Sequence, residues 1–289
     1  MHGFININKP LGMTSHDVVN RVRRISGVRR VGHAGTLDPQ ADGVLVVAIG
    51  HATRLIEYVQ DDTIKGYTAT VQFGTATDSD DASGQVIRTA PVPVVSTAQL
   101  QAQLHGFTGD ILQVPPKVSA LHHAGQRMYD LARQGIAPDL PARPVTVYSI
   151  ELLSWHEGIL RITVQCGKGT YIRALARDIG EALASAAHLS ALTRTQVGQF
   201  FLQESVDLDA LTPTNVSAHI TSVTHAVADW PHYQLNAEES THIQHGRRFS
   251  ARHPLSGRVA LFDERGTLVA IAHSDAESVV PVKVFAWES

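Results

Sequence analysis

A chain of 289 residues with 43% hydrophobic and 18% charged side chains can fill one large core, or a large and a small one. That composition excludes disorder on the scale of the whole chain, and a single cysteine, Cys166, excludes an intramolecular disulfide or a multi-cysteine zinc site. The net charge of -3 does not announce a nucleic-acid binder, yet Lys9, Arg21, Arg23, Arg24, Arg29 and Arg30 face only Asp17 over Lys9–Arg30, a local net of +5. Such a patch suits either a phosphate backbone or a solvated helix face. The opening MHGFININKPLG lacks a basic run followed by an apolar one, and no apolar stretch reaches membrane-spanning length. A cytoplasmic protein without membrane attachment is expected. The sixteen histidines are scattered without HExxH or paired spacing, so no metal is expected either.

In chain order, Thr14 to Ile25 reads as a short helix. Thr14 or Ser15 can cap it, Val18, Val19, Val22 and Ile25 fall at helical spacing, and Gly27 stops it. The loop RRVGHAGTLDPQADG follows, then the β-branched run Val44 to Ile49, which reads as a buried strand. Tyr67 to Phe73 alternates as a strand should, and the polar segment GTATDSDDASG comes after it. Residues 90 to 95 form a Pro/Val-rich connector, and Val145 to Leu153 and Leu160 to Cys166 read as further strands. GKGTYIRALARDIGEALASAAH turns from a Gly-rich loop into a helix. Its apolar stripe is Ile172, Leu175, Ile179 and Leu183, with Arg173 and Arg177 one turn apart. Strands and helices mix without a βαβ rhythm, which predicts an α+β core around a mixed sheet. From Asp229 the texture changes to short β-like runs, RVALFDE, LVAIAH and VVPVKVFAW, so residues 1–228 and 229–289 are expected to be two domains, the second small and β-rich.

The chemistry concentrates in Gly32-His33-Ala34-Gly35-Thr36-Leu37-Asp38-Pro39. Two glycines and a proline mark a tight loop between helix and strand, and Asp38 is biased to an extended backbone by the proline after it. A short carboxylate on such a loop suits a nucleophile or a base, although taken alone a turn aspartate that bonds its own backbone is the commoner case. DSDDASG imitates the start of a calcium loop but has Ala82 in place of a ligand and lacks the closing glutamate. GKGTY lacks the ending of a phosphate-binding P-loop.

GHAGTLDP, preceded by INKPLGMTSHDVV and followed by GVLVVAIGHATR, resembles the signature of the TruB family of tRNA pseudouridine synthases. KGYTATVQFGTATDSDDASG, QVPPKVSALHHAGQRMYDLARQG, CGKGTYIRALARDIG and LSALTRTQVGQF resemble four further blocks in the family's order. The resemblance implies the pseudouridine synthase fold, a central mixed β-sheet flanked by helices. It implies isomerisation of a uridine at position 55 in the T-loop of tRNA, without a cofactor. By the same resemblance Asp38 is the catalytic carboxylate, and Arg173 its ion-pair partner. Tyr67 packs on the flipped base and accepts its last proton. His33 inserts into the loop the base has left, and Tyr171 and Leu192 hold the flipped nucleotide. Lys9 and Pro10 support the active loop.

The resemblance further implies a stand-alone monomer whose partner is tRNA, with no protein partner required. Residues 229–289 resemble a PUA-type RNA-binding module, placed against the acceptor stem. Gln40-Ala41-Asp42-Gly43 departs from the family's usual Leu-Ala-Thr-Gly, and Asp42 adds a negative charge near the active loop. A guide-dependent relative, a non-catalytic RNA binder and a glycoside hydrolase are the competing readings, the last requiring a second positioned carboxylate. Residues 122–143, with Gly125, Gly135, Pro138 and Pro141, read as a loop-rich insertion able to close on substrate.

Overall fold

The computed structural model describes residues 1–61, 63–117, 122–123, 126–127, 140–275 and 277–285. Most of the insertion read from sequence therefore lies outside the described residues. The first strand, β1 (Gly3–Lys9), is followed by α1 (Ser15–Ser26), β2 (Val31–His33), β3 (Ala41–Ile49), α2 (Ile56–Asp61) and β4 (Lys65–Phe73). A hairpin, β5 (Thr75–Thr77) and β6 (Val86–Thr89), leads to α3 (Thr97–His105) and β7 (Gly109–Gln113). After β8 (His122–His123) and β9 (Gln126–Arg127) come β10 (Arg143–His156), β11 (Ile159–Cys166), α4 (Ile172–Ala182), β12 (Ala187–Val197), β13 (Phe200–Phe201) and β14 (Val206–Asp207).

The main sheet runs β14-β1-β3-β12-β4-β11-β10-β7, with β2 and β13 as side additions. Among the described strands of this sheet only β1–β14 and β3–β12 pair parallel, so the sheet is mixed, as the α+β reading requires. β3 is buried on both faces, which explains its unbroken apolar run. Leu45, Val47 and Ile49 pack with Val18, Val19 and Val22 of α1, while Val44, Val46 and Ala48 pack with Phe4 and Phe200 on the other side. α4 lays Ile172, Leu175 and Ile179 on β4 and β11. Leu192 packs against the clusters beneath both helices, so α1 and α4 flank one face of the sheet.

Local chemistry sets the ends of α1. Thr14 caps it with a capping box completed by Asp17, and Gly27 ends it at φ 68°. Ser15, the other candidate cap, instead reaches across to the loop before β3, donating to the Leu37 carbonyl at 3.0 Å and accepting from its N–H at 2.9 Å. The strand expected at 145–153 is longer, and an unanticipated helix, α5 (Ala237–Gln244), lies in the C-terminal part. There β15 (His232–Gln234), β16 (Phe249–Ser250), β17 (Ser256–Phe262), β18 (Leu268–Asp275) and β19 (Ser278–Val284) make a separate sheet of order β15-β17-β18-β19-β16. That sheet is stapled to α2. The Arg258 guanidinium lies 5.1 Å from the Tyr58 ring and 5.0 Å from that of Trp230, and Lys283 bonds Glu57 and the Arg54 carbonyl.

Gly43 is demanded where β3 meets β12. Its φ is 98°, and a Cβ there would sit 2.2 Å from the Arg194 carbonyl oxygen. Gly43→Ala is expected to cost roughly 2–5 kcal/mol, from backbone strain plus overpacking, read as a fall in the urea midpoint at unchanged m-value.

Candidate active site

The face between α1 and α4 opens into a cleft of about 530 Å³. Gly35 to Asp38 form one wall, Tyr67 and Leu192 the floor, and Thr170 to Arg173 the opposite wall. The register explains why the floor is built this way. Leu192 and Arg194 stand opposite Ala69 and Tyr67 across β12 and β4, so all four share one face. A volume of this size suits one nucleotide-sized guest.

Arg173 sits in the first turn of α4 and points inward, 7% exposed. Its Nη2 lies 3.0 Å from Oδ2 of Asp38, whose side chain is 42% exposed. Its Nη1 lies 3.3 Å from Oδ2 of Asp81 and donates to the Ser79 carbonyl at 3.1 Å. One guanidinium thus bridges a carboxylate open to the cleft and a carboxylate behind it. Asp81 is held in turn by the hydroxyl of Ser79 at 2.7 Å and the N–H of Ser83 at 2.9 Å, with the Ser83 hydroxyl also donating. The turn Arg177 makes the parallel bond to Asp80 at 2.8 Å and donates to the Val114 carbonyl at 2.9 Å. The acidic run that imitates a calcium loop is therefore the anchor for the two arginines of α4. Sequence reading missed Asp80 and Asp81 in this role. The available signal was two aspartates upstream and two arginines spaced by four, opposite charges that a fold can bring together.

Arg194, also missed, is 1% exposed and donates to the carbonyls of Val44, Thr36 and Gly35 at 2.7, 3.2 and 3.1 Å. A buried guanidinium with carbonyl partners on both the loop and β3 fixes the path of the chain into Asp38. Gln113, 1% exposed, bonds both backbone groups of Tyr171, accepting at 2.8 Å and donating at 3.1 Å, and so places the start of α4.

Tyr67 is buried in the floor, and that burial pushes its phenol above the usual range, with Arg194 pulling it partly back. It keeps its proton at neutral pH. His33 ends β2, five residues before Asp38, and does not line the cleft. Burial pushes its imidazole down, so the ring is neutral at pH 7. Lys9 is fully buried and donates to the carbonyls of Pro10 and Met13, both at 2.8 Å. Burial lowers its pKa to about 8, opposed first by Asp42 and then by Asp38. The charge that departs from the family's usual pattern thus acts inward, on Lys9. Among the described residues, no three His, Cys, Asp or Glu side chains converge as a metal site.

A carboxylate fixed by a buried arginine thus stands at the edge of a base-sized cleft on a mixed sheet. The crystal structure of a Cbf5-Nop10-Gar1 complex matches with a TM-score of 0.75 at 25% identity, over 98% of this chain and 84% of that one. A family model described as TruB family pseudouridylate synthase, N-terminal domain, matches residues 23–172. A second, the tRNA pseudouridylate synthase B C-terminal domain, matches 173–226. The chain belongs to the TruB family of pseudouridylate synthases. Proteins called tRNA pseudouridine synthase B from Francisella philomiragia and Thermobifida fusca are 40% and 43% identical to it, over 99% and 98% of this chain and 95% and 98% of theirs. One from Trichormus variabilis is 48% identical over 73% of this chain and 72% of its own.

Two outcomes are expected of this network. Asp81→Ala leaves a buried guanidinium half paired and is expected to cost about 3–5 kcal/mol in urea unfolding at pH 7. Lys9 has a folded pKa of about 8 against an ordinary value of 10.5, so the unfolded chain binds the extra proton between those limits and stability rises with pH across that window. Between pH 7.5 and 10 the wild-type urea midpoint should therefore gain on that of Lys9→Met.

Proposed function

We propose that this chain converts uridine to pseudouridine at position 55 in the T-loop of tRNA, with Asp38 as the catalytic carboxylate. The carrying observation is the Asp38–Arg173 pair at 3.0 Å, with the carboxylate open to a cleft of nucleotide size. The guanidinium pairs with Asp38 and aims it, as attack on the ribose or removal of a ribose proton requires. The reaction breaks the bond from N1 of the base to C1′ of the ribose. The base then turns and C5 bonds to C1′. C5 loses its proton and N1 gains one, so the step is balanced without an oxidant or a cofactor.

The target base must leave the RNA stack to reach the cleft. Tyr67 on the floor offers it a ring, and Tyr171 and Leu192 bound the pocket beside it. Because Tyr67 holds its own proton, transfer of the C5 proton through its oxygen requires the phenol to release one as it accepts the other. The neutral His33, just outside the cleft, is suited to fill the gap in the T-loop. The second carboxylate a glycosidase would need is present in Asp81, but it is committed to Arg173, Ser79 and Ser83, which disfavours acid–base work.

The domain division at 228/229 and the reading of residues 229–289 as a PUA-like module on the acceptor stem belong to the same proposal, supported by the separate C-terminal sheet. The higher identity to proteins called tRNA pseudouridine synthase B, against 25% to Cbf5, favours a monomer acting without guide RNA or protein partner in the cytoplasm. No helix among the described residues is long and apolar enough to cross a membrane.

Tritium release from a transcript carrying uridine labelled at C5 tests the reading. The wild-type chain alone should release label, and Asp38→Ala should fall by at least about 10³-fold while still binding tRNA. A transcript with cytidine at position 55 should release none. Persistent release from that transcript would move the target to another uridine.

A further inference from the structure

We propose that the arginine cluster at the far end of α1 grips the phosphate backbone of the RNA stem adjoining the target loop, an inference that rests on the reading of the cleft as an RNA site. Arg24 lies in the last turn of α1, and Arg29 and Arg30 in the loop after it. All three are exposed, and their side chains make no ion pair among the described residues. The nearby carboxylates are spent elsewhere, Asp17 on the Thr14 cap and Asp209 on Arg21 at 2.6 Å.

The cluster is assembled rather than scattered. Arg23 donates to Asn20 Oδ1 at 2.6 Å on its own helix, and to the carbonyls of Arg29 at 3.0 Å and Val31 at 3.3 Å on the loop. It folds the loop back so that Arg29 and Arg30 share the helix end with Arg24. A helix C-terminus favours one or two cations, which Arg23 and Arg24 already supply. Two further unpaired guanidiniums add mutual repulsion and no folding contact. A polyanion relieves it.

Position selects the polyanion. α1 covers the same face of the sheet as the cleft, and its first turn is tied to the catalytic loop through Ser15 and Leu37. Its twelve residues span about 18 Å, a length that a stem of several base pairs covers. From Arg30 the chain returns through β2 directly to His33. A loop seated at His33 and Asp38 thus leads its stem along α1 towards the arginines. A lipid surface fits less well, because no large hydrophobic side chain is strongly exposed from residue 12 to 61.

The test is the triple variant Arg24→Gln, Arg29→Gln, Arg30→Gln in the full chain, with thermal melting to show that it folds. Binding to an unmodified tRNA transcript should weaken about tenfold to hundredfold. The slope of log K against log salt should shrink by roughly two to three, and single-turnover release at saturating RNA should stay within about twofold of wild type. A single-stranded loop oligonucleotide should bind both proteins equally. Unchanged affinity and salt slope on tRNA would overturn the proposal, as would equal weakening on the stemless loop. Loss of binding to anionic vesicles with tRNA binding intact would give the patch to a membrane instead. If wild type binds tRNA with the expected slope and never turns over, the cleft reading fails and the patch stands.

Discussion

A single guanidinium lies between two carboxylates at the centre of this molecule, and the loop, the helix and the hairpin segment around it are arranged to keep it there. Arg173 is almost fully buried, and a buried cation is tolerable only when its donors are met. Asp81 and the Ser79 carbonyl satisfy it from behind, leaving one nitrogen for Asp38. The rear carboxylate is itself tied by two serines, so it cannot swing forward to replace Asp38. Asp38 is thereby aimed by a partner that has no freedom to move, which is the pre-organisation that covalent or proton-transfer chemistry needs.

The loop that carries Asp38 is held by a second buried cation. Arg194 closes it onto β3 through three carbonyls, at an interior place where the sheet runs parallel. There the chains approach so closely that only glycine fits at 43. Lys9 adds a third positive charge at the base of the same loop, and burial lowers its pKa. Three cations beneath one short loop place a strongly positive field under the carboxylate it carries.

α2 connects this site with the C-terminal sheet. One side of the helix carries Tyr58 and Glu57, held by Arg258 and Lys283, and its last residues, Gln60 and Asp61, reach the edge of the cleft. Apolar packing of Ala260, Leu268 and Ile271 with the main sheet's Phe4 and Val46 backs the same seam. The C-terminal sheet and the cleft are therefore held by one shared element, and its geometry is set by aromatic–cation stacking rather than by a linker.

Local pattern determined a good deal. The helix over 15–26, its Thr14 cap and Gly27 stop, the strands at β3, β4 and β11, and the loop carrying Asp38 all follow from short-range chemistry that spacing and turn residues reveal. The family motifs placed Asp38 opposite Arg173, and the structure brings those two residues together. What tertiary structure alone decided are the interactions between residues far apart in the chain. Asp81 with Arg173, Arg194 with the Gly35 carbonyl, and Gln113 with Tyr171 are separated by 58 to 159 positions. β1 went unread although Ile5 to Asn8 alternates as a strand does, and the partners of its polar residues Asn6 and Asn8, at Phe201 and Asp207, are supplied only by the fold. A sequence records which groups need a partner. Which partner they find depends on the sheet order and register, and those are set by the packing of the whole chain.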